Sequence, residues 1–249
     1  MLFVYLYTFL VGITFGSFFN VVGMRVPNKK SIVHPRSSCP HCHTVLSWKE
    51  LIPIVSYVWQ RGRCRNCESN ITLFYPAFEA LTGLLFVFSL YKIGFELELV
   101  VALTFVSLLI IITVSDLSYM LIPNRILLFF FILFLIERML IPLSPIYDSL
   151  LGSFVGFALL YVIAVISKGG MGGGDIKLFA VIGLVLGTKD VLLAFFIATI
   201  VGTLFSLFGM ISKKLTRKSA IPFGPFISLG ALVAYFYGDS IIQWYVQIL

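Results

Sequence analysis

Two acids and four thiols carry most of the chemistry this sequence can offer. Asp175 closes the tract GGMGGGDIK, Gly169 to Lys177, and Asp116 directly follows the apolar run LVVALTFVSLLIIITVS in the segment SDLSYMLIPNR. The two stand 59 positions apart, each where an apolar stretch meets a polar turn. Paired carboxylates at about hydrogen-bonding distance resist double ionisation and share a proton. One then acts as base toward water while its protonated partner polarises a carbonyl. That is the chemistry of an aspartic peptidase. The glycines before Asp175 suit a site where another strand must approach the backbone closely. The bland alternative makes each acid a helix cap or an interfacial charge; an ionisable residue beside a membrane span is a functional candidate in its own right.

Other uses of the same residues fail on detail. A phosphate loop needs Gly-Lys-Ser/Thr, whereas Lys177 lies between Ile176 and Leu178, and the dinucleotide-binding glycine spacing is not met. A Ser/His/Asp set is disfavoured because His34, His41 and His43 all fall in the loop that holds the cysteines.

That loop contains CPHC at 39–42 and CRNC at 64–67, two C-x2-C pairs with 21 residues between them. Such pairs converge on one tetrahedral Zn²⁺ with four thiolates, a closed structural site. Cys39, Cys42, Cys64 and Cys67 are the expected ligands, which leaves the histidines as solvated loop residues. A segment of about 50 residues has too little core to fold alone, and metal binding supplies the missing free energy. Disulfides are disfavoured in a reducing compartment, and a redox C-x-x-C would come singly in a thioredoxin-like context.

The elements that must position these groups are apolar. The chain has 249 residues, 59% of them hydrophobic and only 12% charged, with a mean hydropathy of +1.04. A soluble domain carries about 25% charged residues, so most of this surface faces something other than water. The expected fold class is an all-α polytopic membrane protein with about eight transmembrane helices and a cytoplasmic zinc-binding loop. The spans read as 2–22, 74–91, 98–115, 126–141, 148–167, 175–187, 191–211 and 225–246. Span six is short and glycine-containing, which predicts tilt, shielding by neighbours or re-entry. Pro123 is expected to start the fourth span. The organisation follows as a first helix over 1–22, the four-cysteine loop over 23–73, and a seven-helix membrane domain over 74–249 that carries the two acids.

The net charge of +7 does not point to nucleic acid. Arg25, Lys29, Lys30, Arg36, Lys49, Arg61, Arg63 and Arg65 gather in the first loop, and Lys213, Lys214, Arg217 and Lys218 in the last. Basic clusters between spans are what the positive-inside rule produces. The cysteine loop is therefore expected on the cytoplasmic side of a bacterial cell membrane and the N-terminus outside, with Asp116 and Asp175 both near the cytoplasmic level. The first apolar segment starts at Leu2 with no basic residue ahead of it, unlike a cleavable signal peptide, and reads as a retained span. Of the remaining acids, Glu96, Glu98, Glu137, Asp148, Asp190 and Asp239 are expected at external ends, open to solvent. Gly12 and Gly16, and Gly152 and Gly156, form GxxxG spacings expected to pack helices within the fold. Oligomeric state is open.

Taken together, these segments resemble the type IV prepilin peptidases, membrane aspartic peptidases of the GxGD type. GSFFNVVGMRVP resembles that family's first-span signature, and SSCPHCHTVLSWKELIPIVSYVWQRGRCRNCESNITLFYPAFEALTG its cysteine-bearing loop. DLSYMLIPN resembles the segment of the first catalytic aspartate, GGGD at 172–175 matches GxGD, and IPFGPFISLG resembles a late family segment. The resemblance implies that Asp116 and Asp175 are the catalytic pair. It implies cleavage, after a glycine, of the short leader of a prepilin or pseudopilin serving a type IV pilus, type II secretion or competence. Related enzymes also methylate the new N-terminus with S-adenosylmethionine; the intact cysteine loop keeps that activity open here, although no cofactor fingerprint places a site. Glu79, in YPAFEALTG, resembles a recurrent acid at the loop-to-span junction, expected to orient substrate or pair with a basic loop residue.

Within the pair, Asp175 is expected to be the ionised base. A helix N-terminus favours negative charge by roughly 0.3–1 kcal/mol, and Asp116, at the end of an apolar helix, is the expected proton holder. Two rivals remain at this level. An ion- or metal-coupled transporter would use the aspartates as coupling sites, but such charges usually lie near the midplane in broken, repeated helices. A non-catalytic scaffold is the other.

Overall fold

In lipid, a chain that satisfies its own backbone polar groups within each segment must be helical. The computed structural model describes residues 1–168, 170–213, 216 and 219–248, with no side chain for Ile248. Gly169 of the glycine tract, and Lys214, Arg217 and Lys218 of the last basic loop, lie outside the described residues. Among the described residues the α-helices are α1 Leu2–Arg25, α2 Val55–Trp59, α3 Phe74–Ile93, α4 Glu98–Tyr119, α5 Asn124–Leu140, α6 Asp148–Ile166, α7 Gly173–Ile211 and α8 Gly224–Ile248. There is no sheet; two isolated bridges, Ser38 with Val45 and Arg63 with Asn70, are the extended pairing among the described residues. Six helices, α1, α3, α4, α6, α7 and α8, are long and apolar enough to cross a membrane. With 17 residues, α5 sits at the lower end of the spanning range. It begins directly after Pro123, close to where the proline was expected to start it.

The 39-residue α7 is two helices joined at a break. Gly187 breaks it with φ +79 and ψ −177. Phe179 and Phe195, each eight residues from Gly187, bring their rings to 5.9 Å, edge to face. In a straight helix those residues would be about 24 Å apart. The limbs therefore fold back on one another as a helical hairpin with Gly187 at its tip. Sequence reasoning placed separate spans at 175–187 and 191–211, and the break falls between them. Asp148 closes the tip: both its carboxylate oxygens accept from the Thr188 N–H, at 3.2 and 3.3 Å. A Cβ on Gly187 would overlap that carboxylate. The short first limb, 173–186, is shielded by its neighbours, with Leu178, Phe179, Ile182 and Leu184 fully buried.

The chain divides into two compact units, Met1–Val114 and Ser115–Leu249. In the first, α1 packs on α3 through small residues. A Cβ at Gly12 would lie 2.7 Å from Gly83 Cα, and one at Gly16 would lie 2.9 Å from Glu79 Cα. In the second, α6 crosses the α7 hairpin at Gly152 and Gly156; a Cβ on Gly156 would meet Val191 Cγ2 at 3.1 Å. Both GxxxG pairs thus pack helices inside the chain, as close backbone approach in lipid demands. Gly183 faces Gly152, and any Cβ there would overlap the Gly152 carbonyl. Gly183→Val is expected to destabilise this unit by about 3 kcal/mol, the upper part of the usual cost of overpacking, read as a lowered Tm in detergent.

The charges expected to be solvated at external ends are not all so. Glu137 is 7% exposed, and its neighbour Arg138, on which no expectation was placed, is 5% exposed. Arg138 Nη2 donates to the Val185 carbonyl at 2.7 Å. The helix break at Gly187 is the reason: it leaves Val185 without the regular helical donor, and a buried carbonyl requires a partner.

Candidate active site and metal centre

Asp116 lies in the last turn of α4, 5% exposed. The turn after it is tight. The Met120 N–H donates to the Asp116 carbonyl at 2.8 Å with Met120 at φ +51, and the Ser115 hydroxyl donates to the Leu121 carbonyl. These bonds stop α4 and aim the following chain toward α5. A segment 108 residues away completes the setting: the Gly224 N–H at the start of α8 donates to Asp116 Oδ2 at 2.7 Å. A Cβ on Gly224 would sit 2.8 Å from that oxygen, so the approach needs glycine.

Asp175 stands in the first turn of α7, after the N-cap Gly172. Its carboxylate lies against Gly172, where a Cβ would come within 2.9 Å of Oδ2. Gly174 has a separate role: a Cβ there would come within 2.8 Å of Ile122 Cβ, so the glycine lets the α7 terminus seat against the α4–α5 turn. Gly173 meets nothing within 4 Å. Lys177 Nζ donates to Asn124 Oδ1 at 3.0 Å, tying the start of α7 to the start of α5. The start of α7, with Asp175, thereby seats against the turn that follows Asp116. The Asp116 carboxylate is held by the one glycine N–H, that of Gly224, which leaves its other oxygen for chemistry.

Sequence reasoning missed Gly224 as part of this site. IPFGPFISLG was singled out without a role, and its Gly-Pro at a helix start was the available signal. Asn124 was quoted only as part of its segment.

The cysteine loop repeats one device twice. In the first knuckle the Cys39 N–H donates to the Thr44 carbonyl at 3.0 Å and the His43 N–H to the Cys39 carbonyl at 3.0 Å. In the second, the Cys64 N–H donates to the Ser69 carbonyl and the Glu68 N–H to the Cys64 carbonyl, both at 2.9 Å. The residue after each second cysteine takes a left-handed backbone, His43 at φ +57 and Glu68 at φ +55. The sulfurs interleave, with Cys39 Sγ 3.8 Å from Cys67 Sγ and Cys42 Sγ 3.9 Å from Cys64 Sγ, and all four within 4.8 Å. A tetrahedron of thiolates at the Zn–S bond length has edges of about 3.8 Å. All four cysteines are free, and they can hold a metal ion. Cys42 is poised as a ligand: the Thr44 hydroxyl, then the Thr44 backbone and the Asn66 side chain, lower its pKa to about 5. Backbone bonds from Cys42 and His41 lower that of Cys39. The histidines are not among the clustered ligands.

Glu79 is 8% exposed, and its partner is backbone rather than a basic side chain. Its Oε2 accepts from the Ile54 N–H at 2.7 Å. Ile54 has φ +60, a conformation β-branched residues rarely adopt. Glu79 therefore holds a strained loop residue against the first unit. Glu79→Ala, which leaves that N–H without its acceptor, is expected to cost about 1–3 kcal/mol and speed proteolysis near α2.

The arrangement defines a class: a polytopic helical membrane protein with two acids at adjoining helix ends and a four-thiolate loop. Residues 10–93 match the bacterial peptidase A24 N-terminal domain, and residues 103–207 match the type IV leader peptidase family. The chain is 46% identical to a prepilin leader peptidase/N-methyltransferase of Bacillus subtilis, over 96% of each chain. Proteins with the same description from Legionella pneumophila and Aeromonas salmonicida are 31% and 29% identical, over 98% and 96% of this chain and 95% and 92% of theirs. No solved structure matches. The chain belongs to the type IV leader peptidase family, and it is an enzyme of the peptidase class.

Proposed function

We propose that the protein is a membrane aspartic endopeptidase that removes the short leader of prepilins or pseudopilins at the cytoplasmic face, with Asp116 and Asp175 as the catalytic pair. The observation that carries this reading is the seating of the α7 start, with Asp175, against the turn that follows Asp116 at the end of α4. Asp175, at the positive end of a helix, takes a proton from water. The water oxygen bonds to the scissile carbonyl carbon while Asp116 gives its proton to the carbonyl oxygen. Collapse of the tetrahedral species breaks the C–N bond, the amine leaves with the proton held by the pair, and a hydroxyl of the collapsing species returns its proton to the pair, so the acids again share one. The products are a leader ending in a carboxylate and a mature chain with a new amine. The pair titrates as a unit, so the two roles describe one protonation microstate.

The names of the relatives support a second step, transfer of a methyl group from S-adenosylmethionine to that amine. The basic residues of 23–73 support a cytoplasmic location for the loop. The four-thiolate geometry supports Zn²⁺ as its structural ion. The test is incubation of purified protein with a prepilin-like peptide, read by mass spectrometry, which reports the cut site and any added methyl together. Cleavage lost in Asp116→Asn and in Asp175→Asn supports the reading. Cleavage retained in either, or ion flux without cleavage, overturns it.

A further inference from the structure

The cysteine loop carries an exposed apolar stretch that neither the thiols nor the two acids use. A single 3-10 turn, Trp48–Leu51, packs on α2, Val55–Trp59. Trp48, Val58 and Trp59 are each more than two-thirds exposed, and Leu51, Ile52 and Val55 are exposed beside them. Single apolar residues at a surface are ordinary, whereas two tryptophans among aliphatic neighbours in so short a segment mark a contact surface. The charge around it has one sign. Between residues 44 and 65 the acid is Glu50 alone, and its carboxylate turns back on the Ser47 N–H and hydroxyl at 2.8 and 2.7 Å. Lys49, Arg61, Arg63 and Arg65 are all exposed, and Lys49 Nζ stands 5.5 Å from the centre of the Trp48 ring.

Two contacts fix where this stretch stands along the helices of its own unit. Ile54, between the 3-10 turn and α2, donates its N–H to Glu79 at 2.7 Å. Glu79 lies in the second turn of α3, about 8 Å along that helix from its start at Phe74. Ile71, just ahead of α3, donates its N–H to the Gly62 carbonyl at 2.7 Å, which ties the chain after α2 to the same helix start. The stretch is thus held beside the first turns of a helix long and apolar enough to cross a membrane, rather than on a stalk above it. At that level an outward side chain meets the boundary between headgroups and acyl chains. Tryptophan is enriched there, and basic residues are drawn to anionic headgroups.

We propose that residues 48–59 dock on the anionic lipid surface into which α3 passes, with Trp48, Val58 and Trp59 at the acyl boundary and Lys49, Arg61 and Arg63 on lipid phosphates. The proposal needs α3 to span a membrane and is independent of the peptidase reading. It is tested with the full-length protein reconstituted in phosphatidylcholine vesicles with and without phosphatidylglycerol. A Trp244→Phe background leaves Trp48 and Trp59 as the tryptophans observed. Lipid brominated on its acyl chains is expected to quench their fluorescence, while iodide in the water does not. Phosphatidylglycerol is expected to raise the quenching, and added salt to remove that gain. Lys49→Gln, Arg61→Gln and Arg63→Gln together are expected to lower the quenching by about half or more, since each basic residue near an anionic surface weights the docked state by about fivefold. Should that variant fold poorly, the comparison of the two vesicle types puts the same question to the unaltered loop. Tryptophans quenched by iodide and not by brominated lipid would overturn the proposal in favour of a free surface. Tryptophans shielded from both would overturn it in favour of a protein partner. Equal quenching by brominated lipid in both vesicle types would overturn the role given to the basic residues. Each of these results leaves the peptidase reading untouched.

Discussion

Asp175→Asn and Asp116→Asn are each expected to lower kcat for leader-peptide hydrolysis by about 10³-fold or more, while the folded protein survives. General acid–base groups contribute about 10²–10⁴-fold each, and here one proton serves both acids. Neither change removes a packing group. In Asp116→Asn the remaining carbonyl oxygen can still accept the Gly224 N–H, now at 2.7 Å from Oδ2, so α8 stays seated. In Asp175→Asn the amide has the size of the carboxylate and fits the same space beside Gly172. Because the pair acts as a unit, the double variant is expected to be hardly worse than either single one. The residual activities should differ between the two, with different pH profiles, since Asp175 sits at the positive end of α7 and Asp116 at the negative end of α4. Equal residual rates with superimposable profiles would remove the assignment of base and proton holder. Loss of the thermal transition in either variant would show that the effect was structural.

The geometry behind that expectation was only partly written in the one-dimensional pattern. Apolar length located every spanning helix, because the membrane imposes a length on each. It placed the break at Gly187 within a few residues, but it could not say that the limbs lie against each other; that depends on Asp148 and Arg138 reaching the freed N–H and C=O groups at the tip. The same blindness made Glu137 look like a solvated end charge. For the acids, residue type and position at helix ends were sufficient to nominate the pair. The glycine partner of Asp116 lies 108 residues downstream, and such distant backbone donors leave no periodic trace. The glycine tract was legible as a place of close approach. What approaches Gly174 is the chain's own Ile122, so that glycine seats the helix start rather than admitting substrate. The cysteine loop was the most legible part, since C-x2-C spacing encodes the knuckle itself.

Stripping the metal, by chelation or by Cys39→Ser with Cys64→Ser, is expected to unfold the loop while the spanning helices persist. Between residues 26 and 73 the buried residues are Cys39, Gly62 and Cys64. A segment whose interior consists of its own thiols and one glycine has no apolar core to fall back on. Its large apolar side chains point outward, Trp59 at 85% exposure and Trp48 at 69%. Its two bridges, Ser38 with Val45 and Arg63 with Asn70, each close one knuckle and do not join one knuckle to the other. The knuckles meet through Cys39 beside Cys67 and Cys42 beside Cys64, with Asn66 Nδ2 donating to Thr44 Oγ1 at 2.9 Å. The interleaving means that a cysteine lost from either knuckle opens the tetrahedron on both sides. Without the ion, thiolates this close repel one another, and the left-handed residues His43 and Glu68 lose what holds them. Metal content should fall from about one Zn²⁺ per chain to none. Proteolysis within 26–73 should accelerate sharply while the helical circular dichroism signal is largely retained. A loop that stays protease-resistant with no metal bound would mean that the four thiols hold it together unaided.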